Sequence, residues 1–327
     1  KALALDIGEN QVTHLLSLYY VAAVNARNRW DLQRSVMFGL KMVRLAEKVS
    51  DFRNLALGHR TLGQSYSGLF QIAEARQHFK NALWIYDQIQ MPLGQALTLG
   101  GMAALALDTG NYQEAWENYR AALSISERLE ALDTQTRECI NLGFTAWFLE
   151  DFSAEKQYAL RAVELARQIK NSYLEAHALN NLGEAERELG EVAASLEHLQ
   201  ASWRIFNQLN RASYGKEALI NLALTHLILG ENVAACDIAG QLESWFDQFQ
   251  GRESDEHRTL WAAARVWDAV GDQDHARDLI ERAHEVFVNK CAAIPDLESR
   301  ETYRQIFYNR EITRYHETGL FGGSTVS

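Results

Sequence analysis

The chain has 327 residues and a net charge of −11, and an acidic surface of this kind repels phosphate backbones, so direct binding to nucleic acid is not expected. Hydrophobic residues make up 47% of the sequence, which is enough for a continuous core, but no run of about 18 apolar residues indicates a membrane span. The two prolines in the whole chain indicate that it is almost entirely helical.

A repeat of 40 residues extends along the sequence. Small residues mark it, each 40 residues after the previous one except the last, which follows after 41: Ala23, Gly63, Ala103, Gly143, Gly183, Ala223 and Ala264. Self-similarity at this period is typical of stacked helical hairpins, in which each unit packs only against its neighbours. The period therefore predicts an all-α solenoid.

Each repeat unit is expected to be a hairpin, with helix A followed by a short turn and helix B. In the second unit, helix A covers roughly residues 53–68 and helix B roughly 72–89. The array is expected to cover residues 1–290, with seven units near 13–50, 53–90, 93–130, 133–170, 173–210, 213–250 and 254–290.

A turn residue ends helix A at the same position in most units. Four of these residues are glycines, which favour the left-handed conformation that commonly follows a helix: Gly110, Gly190, Gly230 and Gly271. Phe70 and Glu150 take the place of the glycine in units two and four.

The sequence after the array predicts one more amphipathic helix in residues 291–318, which would cap the exposed core face of the last unit. Residues 319–327 are expected to form a flexible tail. Because the chain starts at Lys1 and its first helix begins at once, we expect it to be a segment of a longer protein.

The order of large and small residues resembles the tetratricopeptide repeat family. The matching residues in unit two are Leu62-Gly63, Tyr66, Ala75, Phe79 and Ala82, and units four and five repeat the motif, for example as Leu142-Gly143 and Leu182-Gly183. The resemblance covers about residues 13–290, and it implies a right-handed superhelix whose A helices line the concave face. Units of that family commonly have about 34 residues, and the longer form resembles that of spindle-orientation scaffolds, kinesin light chains and bacterial peptide-pheromone receptors.

Three asparagines, Asn141, Asn181 and Asn221, occupy the same inward position of helix A in successive units. An asparagine amide both donates and accepts hydrogen bonds, so a row of three can pair with the backbone of an extended peptide. In the related scaffolds and receptors, asparagines at this position look like backbone clamps. The alternative interpretation is that each asparagine ties its own helix to the neighbouring one.

The other candidate binding residues on the concave face belong to units two, four, five and six: Arg60, Gln64, Arg137, Phe144, Trp147, His177, Asn180, Glu184, Arg187 and Leu224. Phe144 and Trp147, with Phe148, would form an aromatic patch that anchors an apolar side chain of a ligand. Burial of Trp147 and Phe148 against the next unit is the alternative. Unit seven adds Trp261 and Arg265 to this face.

The sequence predicts neither catalysis nor a metal site. Its ten histidines are scattered without an HExxH motif, and its three cysteines lack a CxxC motif. We therefore expect a chain that is not an enzyme and has no cofactor. The isolated thiols favour a reducing, cytoplasmic location.

These observations predict a non-catalytic scaffold or sensor region of a larger bacterial cytosolic regulator, which binds a protein or an extended peptide along its concave face. Residues Asn309-Arg310-Glu311-Ile312, after Arg300, resemble a stretch that follows the repeats in large bacterial regulators of the maltose-regulon-activator type and related signal-transduction ATPases. That resemblance implies one alternative, the sensing of a small-molecule effector at the aromatic patch. The other alternative is self-assembly through the ends of the array. No membrane partner is expected.

Overall fold

A computed structural model describes residues 9–249, 256–294 and 297–321. Within these ranges the chain forms sixteen α-helices, one short 3-10 helix and no strand, which confirms the predicted all-α array. Parts of four predictions lie outside the described residues: the start of the array at 1–8, the boundary of units six and seven at 250–255, residues 295–296 of the expected capping helix, and the tail at 322–327. Across the described ranges, every helix is too short or too polar to cross a membrane.

The helices form two compact bodies. The N-terminal body contains the described residues 9–108 and 113–131, and the C-terminal body contains residues 109–112 together with those described after 131. The N-terminal body comprises α1 (Glu9–Asn28), α2 (Leu32–Lys48), α3 (Phe52–Gly68), α4 (Ile72–Gln88), α5 (Pro92–Asp108) and nearly all of α6 (Tyr112–Arg128).

The C-terminal body carries four more hairpins and a C-terminal segment. The hairpins are α7 (Leu132–Phe148) with α8 (Phe152–Gln168), α9 (Ser172–Glu188) with α10 (Val192–Gln208), α11 (Lys216–Ile228) with α12 (Asn232–Phe249), and α13 (Glu256–Ala269) with α14 (Gln273–Ala293). The 3-10 helix Ala212–Gly215 precedes α11. The segment that was expected as one helix contains the end of α14 and two short helices, α15 (Leu297–Arg304) and α16 (Phe307–Thr318).

A residue in the left-handed conformation follows most helices, at a spacing of 20 residues. The four expected glycines have φ values between +72° and +94°, and Phe70 and Glu150 adopt the same conformation with φ of +55° and +58°. The B helices end in the same way at residues other than glycine: Ser50, Gln90, Glu130, Lys170 and Asn210. The 40-residue period is therefore two equal steps of 20, each a helix followed by one reversing residue.

The small residue of helix A lets helix B approach closely. Ser195 Oγ of α10 donates a hydrogen bond to the Gly183 carbonyl of α9 at 2.7 Å. A Cβ added to Gly183 would lie 2.6 Å from Leu199 Cγ and 3.1 Å from the Ser195 carbonyl oxygen, so no larger residue fits.

The equivalent glycine of the preceding hairpin has more room. The atom nearest to a Cβ added at Gly143 is Asn181 Nδ2, at 3.4 Å, which is an ordinary van der Waals distance. The α8 residue that corresponds to Leu199 is the small Ala159. The glycine is therefore required only where the opposing B-helix residue is large.

The odd-numbered helices form the inner layer of the C-terminal body. Helix α7 packs against α9, α9 against α11, and α11 against α13. The even-numbered α8, α10 and α12 do not approach one another in the part of the chain that the structure describes. The odd helices are therefore the more closely spaced layer, and the residues that they turn away from the even helices form the inner face.

This packing predicts opposite outcomes for one substitution at two equivalent positions. Gly183→Ala should lower the free energy of unfolding by about 1–3 kcal/mol, because the new methyl group overlaps Leu199 and a backbone carbonyl. Gly143→Ala should leave it unchanged or raise it by about 0.5 kcal/mol, because alanine favours helix and the space exists. Urea denaturation followed by circular dichroism measures both, and equal losses would contradict the packing described here.

Candidate binding face of the C-terminal body

The predicted site residues divide between the two bodies. Arg60 and Gln64 lie on α3 of the N-terminal body, and the others lie on α7, α9, α11 and, for Trp261 and Arg265, α13 of the C-terminal body. Gln64 Oε1 accepts a hydrogen bond from Arg27 of α1. Burial lowers the pKa of Arg27, and the charge of Arg60 adds to this effect, so two guanidinium groups lie near Gln64.

Two of the three aligned asparagines join neighbouring odd helices. Asn181 Nδ2 donates to the Ile140 carbonyl of α7 at 2.9 Å. Asn221 Nδ2 donates to Asn180 Oδ1 at 3.2 Å, and Asn221 Oδ1 accepts from Arg187 at 2.8 Å.

The three amides differ in their exposure as well. Asn221 is completely buried and Asn181 is 6% exposed, whereas Asn141 is half-buried. The contacts of Asn181 and Asn221 fit the alternative interpretation, in which each asparagine ties its own helix to the neighbouring one. Asn141 presents the most accessible amide of the three.

Removal of the Asn221 amide should therefore destabilise the chain. Asn221→Ala leaves the buried Arg187 without one of its hydrogen-bond acceptors, and we expect a loss of about 1–3 kcal/mol in the free energy of unfolding. The control is Asn207→Ala on the outer helix α10, where the side chain is exposed and the change should stay within about 0.5 kcal/mol. Chemical denaturation at neutral pH measures both variants. Equal stabilities would show that the Asn221 contacts are not needed.

A buried ion network lies beneath the asparagines. Arg258 of α13 donates to Glu184 of α9 at 3.0 Å and also pairs with Glu217 of α11. Arg187 lies 3.7 Å from Glu184 and 2.8 Å from Glu188. Burial raises the pKa of Glu184, and the charges of Arg258 and Arg187 oppose that shift. The network ties three odd helices together.

Two further carboxyl groups are buried in this body, one of them near the network. Glu155, at the start of α8, is fully buried, and among the described residues neither of its carboxyl oxygens has a hydrogen-bond partner. Burial and the neighbouring Glu184 raise the pKa of Glu155 well above its ordinary value. Burial also raises the pKa of Glu138 on α7 to about 8, against the opposing effects of Arg137 and Asn141. Glu138 is therefore mostly protonated at neutral pH.

The raised pKa of Glu138 makes stability depend on pH in a definite direction. The folded state keeps a proton on Glu138 up to about pH 8, whereas the unfolded chain releases it near 4.5, so stability falls as the pH rises between these values. The shift corresponds to about 3 kcal/mol at pH 7. Glu138→Gln, which is neutral at every pH, should lose less stability than the wild type between pH 5 and pH 8. Denaturation at both pH values measures this, and parallel losses would contradict it.

The predicted aromatic patch is covered by the C-terminal segment. Trp147 is 4% exposed, and its ring centroid lies 4.9 Å from that of Phe307 and 6.5 Å from that of Tyr308. Phe144 and Phe148 remain half-buried, and each packs against the Trp147 ring. Trp147 is therefore buried, although by α16 and not by the next hairpin alone.

The same helix reaches the inner residues of the last hairpin. Trp261 is 1% exposed, and its Nε1 donates to Glu311 of α16 at 2.9 Å. Arg265 lies 3.6 Å from the same carboxylate. The Arg258 guanidinium lies 5.0 Å from the Trp147 ring centroid and 5.9 Å from that of Tyr308. One end of the inner face is thus filled by the side chains of α16.

The other end of the inner face is accessible. The Arg137 side chain is 49% exposed and forms a salt bridge of 2.9 Å with Asp133 on the same helix. Asn141, Phe144 and His177 are half-buried. Burial, with a smaller effect of Arg137, lowers the pKa of His177 to about 4, so this imidazole is neutral at pH 7. We call Arg137, Asn141, Phe144 and His177 the open strip.

Sequence reasoning missed several residues of this face. Nothing in the repeat pattern singled out Arg258, Glu138 or the Phe307-Tyr308 pair. A signal existed for Glu155, because the same position holds only small residues in the other units: Ser35, Ala75, Ala115, Ser195, Ala235 and Ala276. No cluster of three or more His, Cys, Asp or Glu side chains in the described part of the chain is arranged to hold a metal ion.

Comparison with known proteins identifies the repeat. A tetratricopeptide repeat family model matches residues 176–210, which lie in the α9–α10 hairpin. No curated protein matches the chain at a significant level. A Rap protein complexed with competence and sporulation factor is 15% identical, with 94% of this chain and 98% of that one covered and a TM-score of 0.61.

Two further solved structures share the fold. Aspartyl phosphate phosphatase F from Bacillus subtilis is 17% identical, with 93% of this chain and 75% of that one covered and a TM-score of 0.63. A signal transduction ATPase with numerous domains from Pyrococcus horikoshii, which has a tetratricopeptide repeat sensor, is 13% identical with a TM-score of 0.63. The match covers 90% of this chain but 45% of that one. The chain is therefore a tetratricopeptide-repeat array in fold.

Proposed function

We propose that this tetratricopeptide-repeat chain is a non-catalytic binding module and serves as the scaffold or sensor region of a larger bacterial cytosolic regulator. Its partner would be a protein, and an extended segment of that partner would lie along the inner face of the C-terminal body. Two similar structures support the proposal: one is a Rap protein in complex with competence and sporulation factor, and one contains the repeats as a sensor.

The observation that carries the proposal is the open strip. Its residues offer three kinds of contact side by side: the Asn141 amide for a peptide backbone, the Phe144 ring for an apolar side chain and the Arg137 guanidinium for a carboxylate. The exposed pair of Arg137 and Asp133 contributes only about 0.3–0.5 kcal/mol, so a ligand carboxylate can replace Asp133 at little cost. His177, which is neutral at pH 7, can donate or accept a hydrogen bond.

The buried candidates have a supporting role in this proposal. Asn180, Asn181 and Asn221, with Glu184 and Arg187, join α9 to α7 and α11 and hold the strip in position. Leu224 adds a half-buried apolar contact on α11. Arg60 and Gln64 would provide a separate contact for an acidic group on the N-terminal body.

Peptides selected for binding from a displayed random library test the proposal. Arg137→Ala/Asn141→Ala should weaken the selected peptides by about tenfold or more, because it removes a charged and a neutral hydrogen bond. The matched control is Arg204→Ala/Asn207→Ala, an exposed Arg-Asn pair on the outer helix α10, which should leave binding unchanged. Fluorescence anisotropy measures the affinities, and circular dichroism checks that both variants fold. Equal affinities for the wild type and the inner variant would reject the strip as the binding site.

A second candidate function, the sensing of a small molecule, is favoured by a different observation. Helices α14, α15 and α16 line a cleft of about 610 Å³ that is open to solvent on one side. Four arginines line it together with Phe287 and Cys291: Arg300, Arg304, Arg310 and Arg314. Glu301 and Glu317 line it as well, so a metabolite with an anionic group, a hydrogen-bond donor and an apolar part fits this lining. Thermal stabilisation by such a metabolite, lost in Arg310→Ala/Arg314→Ala, would favour sensing over peptide binding.

A further inference from the structure

The first turn of α16 lies where a ligand of the inner face would lie. Phe307 inserts between two tryptophans, with ring centroids 4.9 Å from Trp147 and 5.4 Å from Trp261, and both contacts are edge-to-face. Tyr308 packs against the same two rings at 6.5 and 6.1 Å. We call the pocket between Trp147 and Trp261 the aromatic socket. In this chain the socket is filled by the rings of its own residues Phe307 and Tyr308.

A carboxylate completes the contact. Glu311 follows Phe307 by four residues and therefore lies on the same side of α16. It accepts a hydrogen bond from Trp261 Nε1 at 2.9 Å and lies 3.6 Å from Arg265. The occupant of the socket is thus two aromatic rings with an acidic group one helical turn later.

These contacts exceed what a capping helix requires. A cap has to cover only the last hairpin, because each repeat of an array contacts its neighbours. Ile312 and Tyr315 of α16 are buried in the core cluster that contains the α13 and α14 residues, and they satisfy that need. Phe307 and Tyr308 reach Trp147 on α7, which lies three hairpins earlier in the chain. The contact of Phe307 and Tyr308 with Trp147 therefore covers part of the inner face. It does not cap the end of the array.

The segment that leads into α16 is held at two of its residues, Arg300 and Tyr303; the Tyr303 hydroxyl lies 3.2 Å from His257 Nε2, and its ring packs against Phe287. The α15 residues whose side chains are described are half-buried or exposed. Arg300 secures its start by donating from Nε and from its terminal nitrogen to the Ile294 carbonyl, at 3.1 and 2.7 Å. The first turn of α16 can leave the socket while Arg300 and Tyr303 keep α15 in place.

We propose that α16 is a built-in competitor for the inner face, and that the partner segment which displaces it carries the same chemistry: an adjacent pair of aromatic residues followed one helical turn later by a carboxylate. The inference rests on the proposed function, because the socket is continuous with the open strip through Phe144 and Trp147, whose ring centroids are 6.4 Å apart. An occupant in the same chain acts at an effective concentration of the order of millimolar. The wild type should therefore bind such a segment weakly, and a chain with an emptied socket should bind it well.

The test uses the full chain and a fluorescein-labelled peptide of residues 303–312. Phe307→Gly/Tyr308→Gly removes both rings and frays the first turn of α16, while Ile312 and Tyr315 remain as the cap. This variant should bind the peptide at least about tenfold more tightly than the wild type does. Adding Trp147→Ala should abolish the gain, and adding Trp84→Ala, on an exposed tryptophan of α4, should not. A folded variant that binds no better than the wild type would overturn the inference.

Hydrogen exchange on the wild type gives an independent measurement, which stands even when the variant fails to fold. The amides of residues 310–312, which are the first in α16 to donate to carbonyls of the preceding turn, should exchange through a local opening of lower free energy than that which exposes the amides of α13. Equal protection in the two helices would mean that α16 opens only with the whole body, and would also overturn the inference. Neither measurement uses Arg137 or Asn141. A negative result here is therefore distinguishable from a result that rejects the open strip as the binding site.

Discussion

The guanidinium of Arg258 is the point on which the C-terminal body depends. It belongs to α13, yet it pairs with carboxylates of α9 and α11 and lies against aromatic rings of α7 and α16. A buried cation is stable only when its charge and its hydrogen bonds are met together. Five helices must therefore keep fixed positions around this guanidinium group. Those positions determine the shape of the inner face.

The cost of burying charge also explains why the inner face differs in charge from one hairpin to the next. Burial raises the pKa of all three carboxyl groups; two arginines pair with Glu184 and oppose that shift, whereas Glu138 and Glu155 are buried without an ion pair among the described residues. A protonated carboxyl costs far less to bury than a charged one. The four hairpins thus share a backbone plan but differ in charge at the inner layer, and a partner would meet a different surface at each of them.

The two ends of this face also differ in state. At one end, polar groups of the open strip are accessible around Asn141. At the other, Trp147 and Trp261 are covered by rings of the same chain, so these two tryptophans are already in contact with an occupant. Burial of aromatic rings contributes much of the energy of recognition in most interfaces. Under the proposed function, affinity for a partner would consequently be coupled to the position of α16.

Much of the fold follows from the sequence alone. The sequence predicts the repeat period, the hairpins and the turn positions because the signals for them are local. Each small residue, each residue that reverses the chain and each apolar spacing determines structure within one or two turns of helix. Even where Phe70 and Glu150 replace glycine, the period predicts the conformation that these residues adopt. The site was less accessible to such reasoning. The repeat pattern places Asn221 at an inward position of helix A. It does not show that the Asn221 amide oxygen accepts a hydrogen bond from Arg187.

Only the tertiary structure decided which side chains meet across the layer of odd helices. Arg258 and Glu184 are 74 residues apart in sequence, and Trp147 and Phe307 are farther apart still. A 40-residue period is the same for every unit, so it cannot distinguish a residue that faces solvent from one that faces the returning C-terminal helix. The sequence by itself determined a stack of hairpins with a mixed inner face. Long-range packing determined that part of that face is internal support, part is occupied by α16, and part is open.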